Sequence, residues 1–277
     1  MIELMKKEQE ARRRVCLALD VPSVADALEL AEELADFVGL FKVGKQLHTA
    51  ACNEGVPIVD RVYAANSDGS DNVFLDLKLH DTPNTVLEAA RESAVPGVNV
   101  FNVHVAGGEV MCKKAVEGAY EGSQQRKIRQ PKVIGVTELT SLNDDDLKVQ
   151  GLGISYDDLV KRRTELAREW GLDGVVCPAN KAGELEKRFG PDFIYVTPGI
   201  EWGGLSGAGQ KQLYTPDRAV RDCSCSVLVI GSAITKAGNV YEQDKKRLAR
   251  KGTSEDRRKT AYEIIRAMAK ELSSQSG

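Results

Sequence analysis

The stretch Val73-Phe-Leu-Asp-Leu-Lys-Leu-His-Asp-Thr-Pro-Asn-Thr-Val-Leu-Glu-Ala-Ala90 carries a strand signal and then a helix signal. Its first part is apolar and β-rich, and Pro83 suits the first turn of a helix that runs on toward Ala90. Alternate side chains of a strand share a face. Asp76 and Lys78 therefore project one way, and Leu75, Leu77 and Leu79 the other, toward packed helices. Seven similar runs recur on either side: Val15–Leu19, Leu40–Val43, Val98–Val103, Val133–Val136, Gly174–Cys177, Phe193–Val196 and Val227–Ile230. Helical patterns lie between most of them, including Val24–Phe37, Tyr156–Trp170 and, after the last, Lys259–Leu272. Such alternation implies parallel strands with right-handed crossovers. Eight units match a closed (β/α)8 barrel, a single α/β TIM barrel with its site at the C-terminal ends of the strands. A doubly wound sheet is the rival, but Asp20-Val-Pro-Ser23 after the first strand lacks its glycine-rich turn.

The length agrees. A chain of 277 residues suits one large barrel domain over 1–277, with 1–14 a charged N-terminal extension and 236–277 a C-terminal helical tail. With 38 Lys and Arg against 41 Asp and Glu, the net charge is -3, which argues against a nucleic-acid or membrane-surface binder. No apolar run is long enough for a membrane span, and MIELMKKEQEARRR lacks the apolar core of a secretory signal. Cys16, Cys52, Cys112, Cys177, Cys223 and Cys225 include no C-x-x-C pair and read as reduced thiols of a cytoplasmic protein. His48, His80 and His104 show no metal-ligand spacing against them. The charge-rich segment 243–259 reads as a solvated helix and turn.

Polar residues collect where the strands end: Asp20, Lys42, Asp76 with Lys78, His104, Thr137 to Thr140, Thr197-Pro-Gly199 and Gly231-Ser232. In a barrel these ends converge on one face. Lys42 lies among apolar neighbours in Phe41-Lys-Val-Gly44, and Asp81 comes just after the third strand. Two ammonium and three carboxylate groups on one face suit stabilisation of a developing carbanion, with a lysine delivering the proton. The alternative is a buried ion pair that seals the barrel. The glycine-rich segment Glu201-Trp-Gly-Gly-Leu-Ser-Gly-Ala-Gly-Gln210 suits a phosphate lid after the seventh strand, or else a plain surface loop.

These residues, with Leu17–Asp20, Phe74–Thr85, Asn102–Gly108, Leu139–Ser141, Asp173–Cys177, Val196–Ile200 and Ile230–Thr235, closely resemble the orotidine 5'-phosphate decarboxylase family, in order from about Val15 to Thr235. The resemblance implies a homodimer that converts orotidine 5'-monophosphate to UMP and CO2 with neither metal nor organic cofactor. It implies that Lys78 protonates C6 of the pyrimidine, that Asp76 lies beside the substrate carboxylate, and that Lys42 completes the charge chain and touches the ribose. Asp20 would bind a ribose hydroxyl, Thr140 would sit near the pyrimidine, and Asp81 and Thr85 would reach the partner's site. Pro198, Gly199, Gln210, Gly231 and Ser232 would surround the phosphate end.

Two positions depart from the family pattern: Glu201 and Ser232 stand where it has arginine. The Gly231 and Ser232 amides, the Ser232 hydroxyl and Gln210 remain for phosphate, with Lys211 or Lys236 for charge. The competing readings are a magnesium-dependent relative acting on a sugar phosphate, of the keto-gulonate phosphate decarboxylase or hexulose phosphate synthase type, and a non-catalytic nucleotide-binding barrel. A Schiff-base aldolase is the third; it needs a lysine of depressed pKa, which neighbouring carboxylates oppose.

Overall fold

The strands close. In a computed structural model that describes residues 2–66, 69–202, 214–223, 226–241 and 248–274, eight parallel strands form a closed barrel in sequential order. They are β1 (Val15–Ala18), β2 (Leu40–Gly44), β3 (Val73–Leu79), β4 (Val98–His104), β5 (Lys132–Val136), β6 (Gly174–Val176), β7 (Ile194–Thr197) and β8 (Ser226–Ile230). Each of the eight apolar runs became one strand, with ends moved by a residue or two.

Outside lie the helices α1 (Ile2–Arg14), α2 (Val24–Leu34), α3 (Lys45–Glu54), α4 (Ile58–Ala64), α5 (Pro83–Ser93) and α6 (Gly108–Arg126). They continue with α7 (Asp144–Val149), α8 (Tyr156–Glu169), α9 (Ala179–Phe189), α10 (Pro216–Asp222), α11 (Ser232–Thr235) and α12 (Ser254–Ser274). Local chemistry sets several starts. The Ser23 hydroxyl accepts from the Asp26 amide at 3.0 Å to cap α2, and Pro83 occupies the first turn of α5. Between α11 and α12, Val240–Tyr241 pairs antiparallel with Leu248–Arg250.

Strand alternation makes two cores. Cys16, Leu40, Phe74, Val100, Ile134 and Val176 are among the side chains that fill the barrel interior. Leu17, Phe41, Leu75, Phe101 and Val133 face the helices instead, with Leu77 and Leu79 packed on the same layer. The interior is therefore a plug, and the polar mouth sits above it.

The charged N-terminal segment is a helix, α1, which packs against α12. Of the charge-rich segment 243–259, residues 243–247 lie outside the described residues; Lys251, Glu255, Arg258 and Lys259 are exposed, and Arg257 departs from the solvated reading. Arg257 is buried, and its Nε donates to Glu33 Oε1 at 3.0 Å, joining α12 to α2. A guanidinium with a buried carboxylate partner can leave water, where a lone one cannot.

Candidate active site

The mouth of the barrel holds a cavity of about 410 Å³, within the range of small-molecule sites. Asp20, Lys42, Asp76 and Lys78 line it, as do Glu138, Thr140, Pro198, Gly199 and Gly231. Asp20 just past β1, Lys42 on β2, and Asp76 and Lys78 on β3 form one chain. Lys42 Nζ donates to Asp20 Oδ1 at 3.0 Å and lies 3.3 Å from Asp76 Oδ2. Lys78 Nζ donates to Asp76 Oδ1 at 2.6 Å. Signs alternate along the chain, so each inner charge has two opposite neighbours.

Burial alone would raise the Asp76 carboxyl and lower the Lys42 ammonium. The opposite charges win at both. Lys42, Lys78 and hydrogen bonds from Lys78 and Asn102 hold Asp76 below the ordinary carboxylate range. Asp76 and Asp20 hold Lys42 above the ordinary lysine value. Asp76 and Lys42 are thus held ionised, so Lys42 lacks the depressed pKa a Schiff base would need. Gly44 ends β2 with no side chain. A Cβ there would come within 3.1 Å of Lys42 Nζ and 3.2 Å of Asp20 Oδ1, crowding their ion pair.

Asp76 and Lys78 do share a face, but not by regular alternation. Lys78 has φ 50°, in the left-handed region that long side chains avoid at a cost of about 1–2 kcal/mol. The pairing of β3 with β4 slips between Leu75 and Leu79. Asn102 on β4 faces this irregularity. Its Oδ1 accepts from the Lys78 amide at 2.7 Å, and its Nδ2 donates to Asp76 Oδ1 at 2.7 Å. Sequence reasoning assigned Asn102 no role. Its signals were a polar side chain inside an apolar strand and its place at the head of the Asn102–Gly108 segment of the resemblance.

Other expected residues divide. Thr140 lies on the cavity wall, on a turn pinned by Arg163 of α8, which donates to the Thr137 carbonyl at 2.7 Å and to Glu138. Thr137 and Thr197 are buried and face neighbouring strands, donating to the carbonyls of Val176 and Val227. Asp81 and Thr85 are exposed and stand outside the cavity. Asp81 Oδ1 accepts from the Thr82 amide at 2.6 Å, and the Thr85 and Thr82 hydroxyls lie 3.0 Å apart. Gly199, at φ 84°, and Glu201 bracket a bridge from Ile200 to Tyr214 at the base of the glycine-rich segment. Ser232 opens α11, and Lys236 at its end is exposed. Gln210 and Lys211 lie outside the described residues.

Buried Cys16 and half-buried His104 lie near the array. Burial pushes the Cys16 thiol well above its ordinary value, so beneath Lys42 it stays a thiol. His104 lies against His80, ring centroids 5.2 Å apart, and outside the cavity. Burial, then the charge of His80, pushes His104 down from 6.5 to about 4. Below pH 6.5 the unfolded imidazole takes a proton that the folded one refuses until about pH 4, so this group costs stability as pH falls through that window. We expect His104→Gln to flatten the fall in Tm between those pH values, measured by thermal unfolding at successive pH.

A closed α/β barrel with an alternating array of fixed charges at its C-terminal mouth is the architecture of a barrel enzyme. The chain belongs to the orotidine 5'-phosphate decarboxylase / HUMPS family, whose family model matches residues 13–246. It is 40% identical over 236 residues to the orotidine 5'-phosphate decarboxylase of Geotalea uraniireducens, covering 84% of this chain and 92% of that one. The corresponding protein of Moorella thermoacetica is 38% identical over 228 residues, covering 82% and 87%. Among solved structures, the orotidine 5'-phosphate decarboxylase of Lactobacillus acidophilus superposes with TM-score 0.72 at 28% identity, over 92% of this chain and 98% of that one. Among the described residues, no helix is long and apolar enough to cross a membrane.

Proposed function

We propose that this chain is an enzyme that decarboxylates orotidine 5'-monophosphate to UMP and CO2. The observation that carries the reading is the chain of salt bridges from Asp20 through Lys42 and Asp76 to Lys78 on the cavity wall. In the proposed reaction the bond between C6 and the carboxylate breaks and its electron pair stays on C6. CO2 leaves, and Lys78 Nζ gives C6 a proton, regaining one from water afterwards. Asp76 lies beside the departing carboxylate and holds Lys78, while Lys42 and Asp20 meet the ribose. The fixed charges are oriented before substrate arrives, so little reorganisation opposes the developing carbanion. Thr140 borders the pyrimidine. Pro198, Gly199, Gly231, Ser232 and Gln210 surround the phosphate.

A metal-dependent sugar-phosphate relative is disfavoured by one feature. The Lys42 ammonium already fills the space between two carboxylates, 3.0 Å from Asp20 and 3.3 Å from Asp76, so a divalent ion there would meet its charge. The deciding assay tracks the absorbance of orotidine 5'-monophosphate with a chelator present. We expect substrate loss and UMP formation, both insensitive to the chelator. No turnover would overturn the reading, and turnover abolished by the chelator would favour the metal-dependent relative.

The proposal includes a homodimer with shared sites. Asp81 and Thr85 support it, because they are exposed just beyond β3 and do not line the mouth cavity of their own chain. Mixing inactive Lys78→Ala with inactive Asp81→Ala subunits should restore roughly a quarter of wild-type activity, since random pairing leaves half the dimers mixed and one native site in each. Mixed dimers without activity would put Asp81 in its own subunit's site.

A further inference from the structure

We infer that Asn102 is a positioning residue that holds Lys78 and Asp76 in their working geometry. Strand pairing sets up its task. Leu75 pairs with Phe101 and Leu79 with Val103, so four steps along β3 match only two along β4. The surplus takes Asp76, Leu77 and Lys78 out of the ladder with β4, while Asp76 still pairs with Gly44 of β2. A bulge leaves amides without their ladder acceptors, and a buried amide needs a replacement. Asn102 is the residue between Phe101 and Val103, opposite the surplus. Its Oδ1 takes the Lys78 amide at 2.7 Å, which pins the residue whose φ is 50°.

The other end of the same amide acts on the charge array. Nδ2 donates to Asp76 Oδ1 at 2.7 Å, the oxygen that also takes Lys78 Nζ at 2.6 Å. One planar group therefore fixes the backbone of the lysine and the orientation of the carboxylate that holds its ammonium. Asn102 is 1% exposed and does not line the cavity, so it acts through its neighbours. The side chain needs a donor and an acceptor at a fixed separation, which Asn supplies. Ala supplies neither, and ionised Asp supplies only the acceptor.

This inference rests on the decarboxylase reading for its kinetic effect, and its test separates the two. Asn102→Ala should lower kcat roughly 10²-fold, the scale of a reacting group misplaced by an ångström, with KM little changed. Asn102→Asp keeps the shape and the acceptor for the Lys78 amide but sets an oxygen against Asp76. Asp76 and Lys78 on β3 and Lys42 on β2 are the charged groups around it, and two facing carboxylates share a proton more readily than either alone. Its kcat should therefore be low at high pH and recover as pH falls and the new carboxyl becomes a donor. Asn102→Ala should show no such recovery. A kcat for Asn102→Ala within threefold of wild type, or a wild-type pH profile for Asn102→Asp, would overturn the inference. If Asn102→Ala does not fold, the isosteric Asp variant decides. A readout without substrate completes the test: by carboxylate ¹³C NMR, the Asp76 titration midpoint should rise when the Nδ2 donor is removed. An unmoved midpoint would overturn the inference even if orotidine 5'-monophosphate is not turned over, and absent turnover with a raised midpoint would overturn only the decarboxylase reading.

Discussion

Replacing Lys78 with alanine is expected to abolish decarboxylation in a chain that still folds. Two losses combine. The proposed proton donor goes, and general acid catalysis alone is worth about 10²–10⁴-fold. The ammonium that faces the developing carbanion goes with it. Asp76 keeps Lys42 at 3.3 Å and Asn102 at 2.7 Å, so its charge remains partly compensated. The stability cost should therefore fall below the roughly 3–5 kcal/mol lost when a buried pair is deprived of one member outright. Steady-state turnover of orotidine 5'-monophosphate and a thermal melt on the same preparation check both statements. A folded variant with more than about a tenth of wild-type rate would remove Lys78 from the role of proton donor.

The second large effect lies far from the cavity. Arg257→Met strands the Glu33 carboxylate, whose side chain is only 5% exposed, with its main partner gone. An uncompensated buried charge should lower stability by about 3–5 kcal/mol, or roughly 10 °C in Tm for a chain of this size. The paired change Glu33→Leu with Arg257→Met removes both charges and should recover most of the loss, because an apolar pair of similar volume needs no compensation. Melting temperatures of the two single variants and the double variant decide this. Equal destabilisation of Arg257→Met and the double variant would mean that lost packing matters and the charge does not. Activity in the double variant should match wild type, since neither residue approaches the mouth.

What could be read in the sequence, and what could not, divides by the distance over which the information acts. The strands were legible because alternation within β3 or β4 is local: Phe74 inward and Leu75 outward come from two neighbouring letters. Asp76 and Lys78 were legible as site candidates because charges inside an apolar run cannot be left unpaired. The bulge beneath them was not, since it exists only as a mismatch of β3 against β4. Asn102 was silent for the same reason, its meaning resting on the residues across the sheet. Arg257 was read as solvated because its partner lies 224 positions away. Thr137 and Thr197 looked like site hydroxyls, but each meets a neighbouring strand's carbonyl that its own sequence does not reveal.

The packing of α1 against α12 bears on how the molecule is made. β1 takes β8 as its second neighbour, and α1 takes as its cover a helix that begins at Ser254. On a ribosome adding about 5–20 residues per second, β1 waits on the order of ten seconds or more before either partner emerges. During that interval one edge of Val15–Ala18 has no strand to pair with, and the apolar side of α1 has no neighbouring helix. The growing chain is thus an open, curling sheet with a sticky leading edge, a form vulnerable to pairing with other nascent chains. The charges crowded into α1, from Glu3 to Arg14, lie directly upstream of that edge, where like-charged neighbours repel and water is held close.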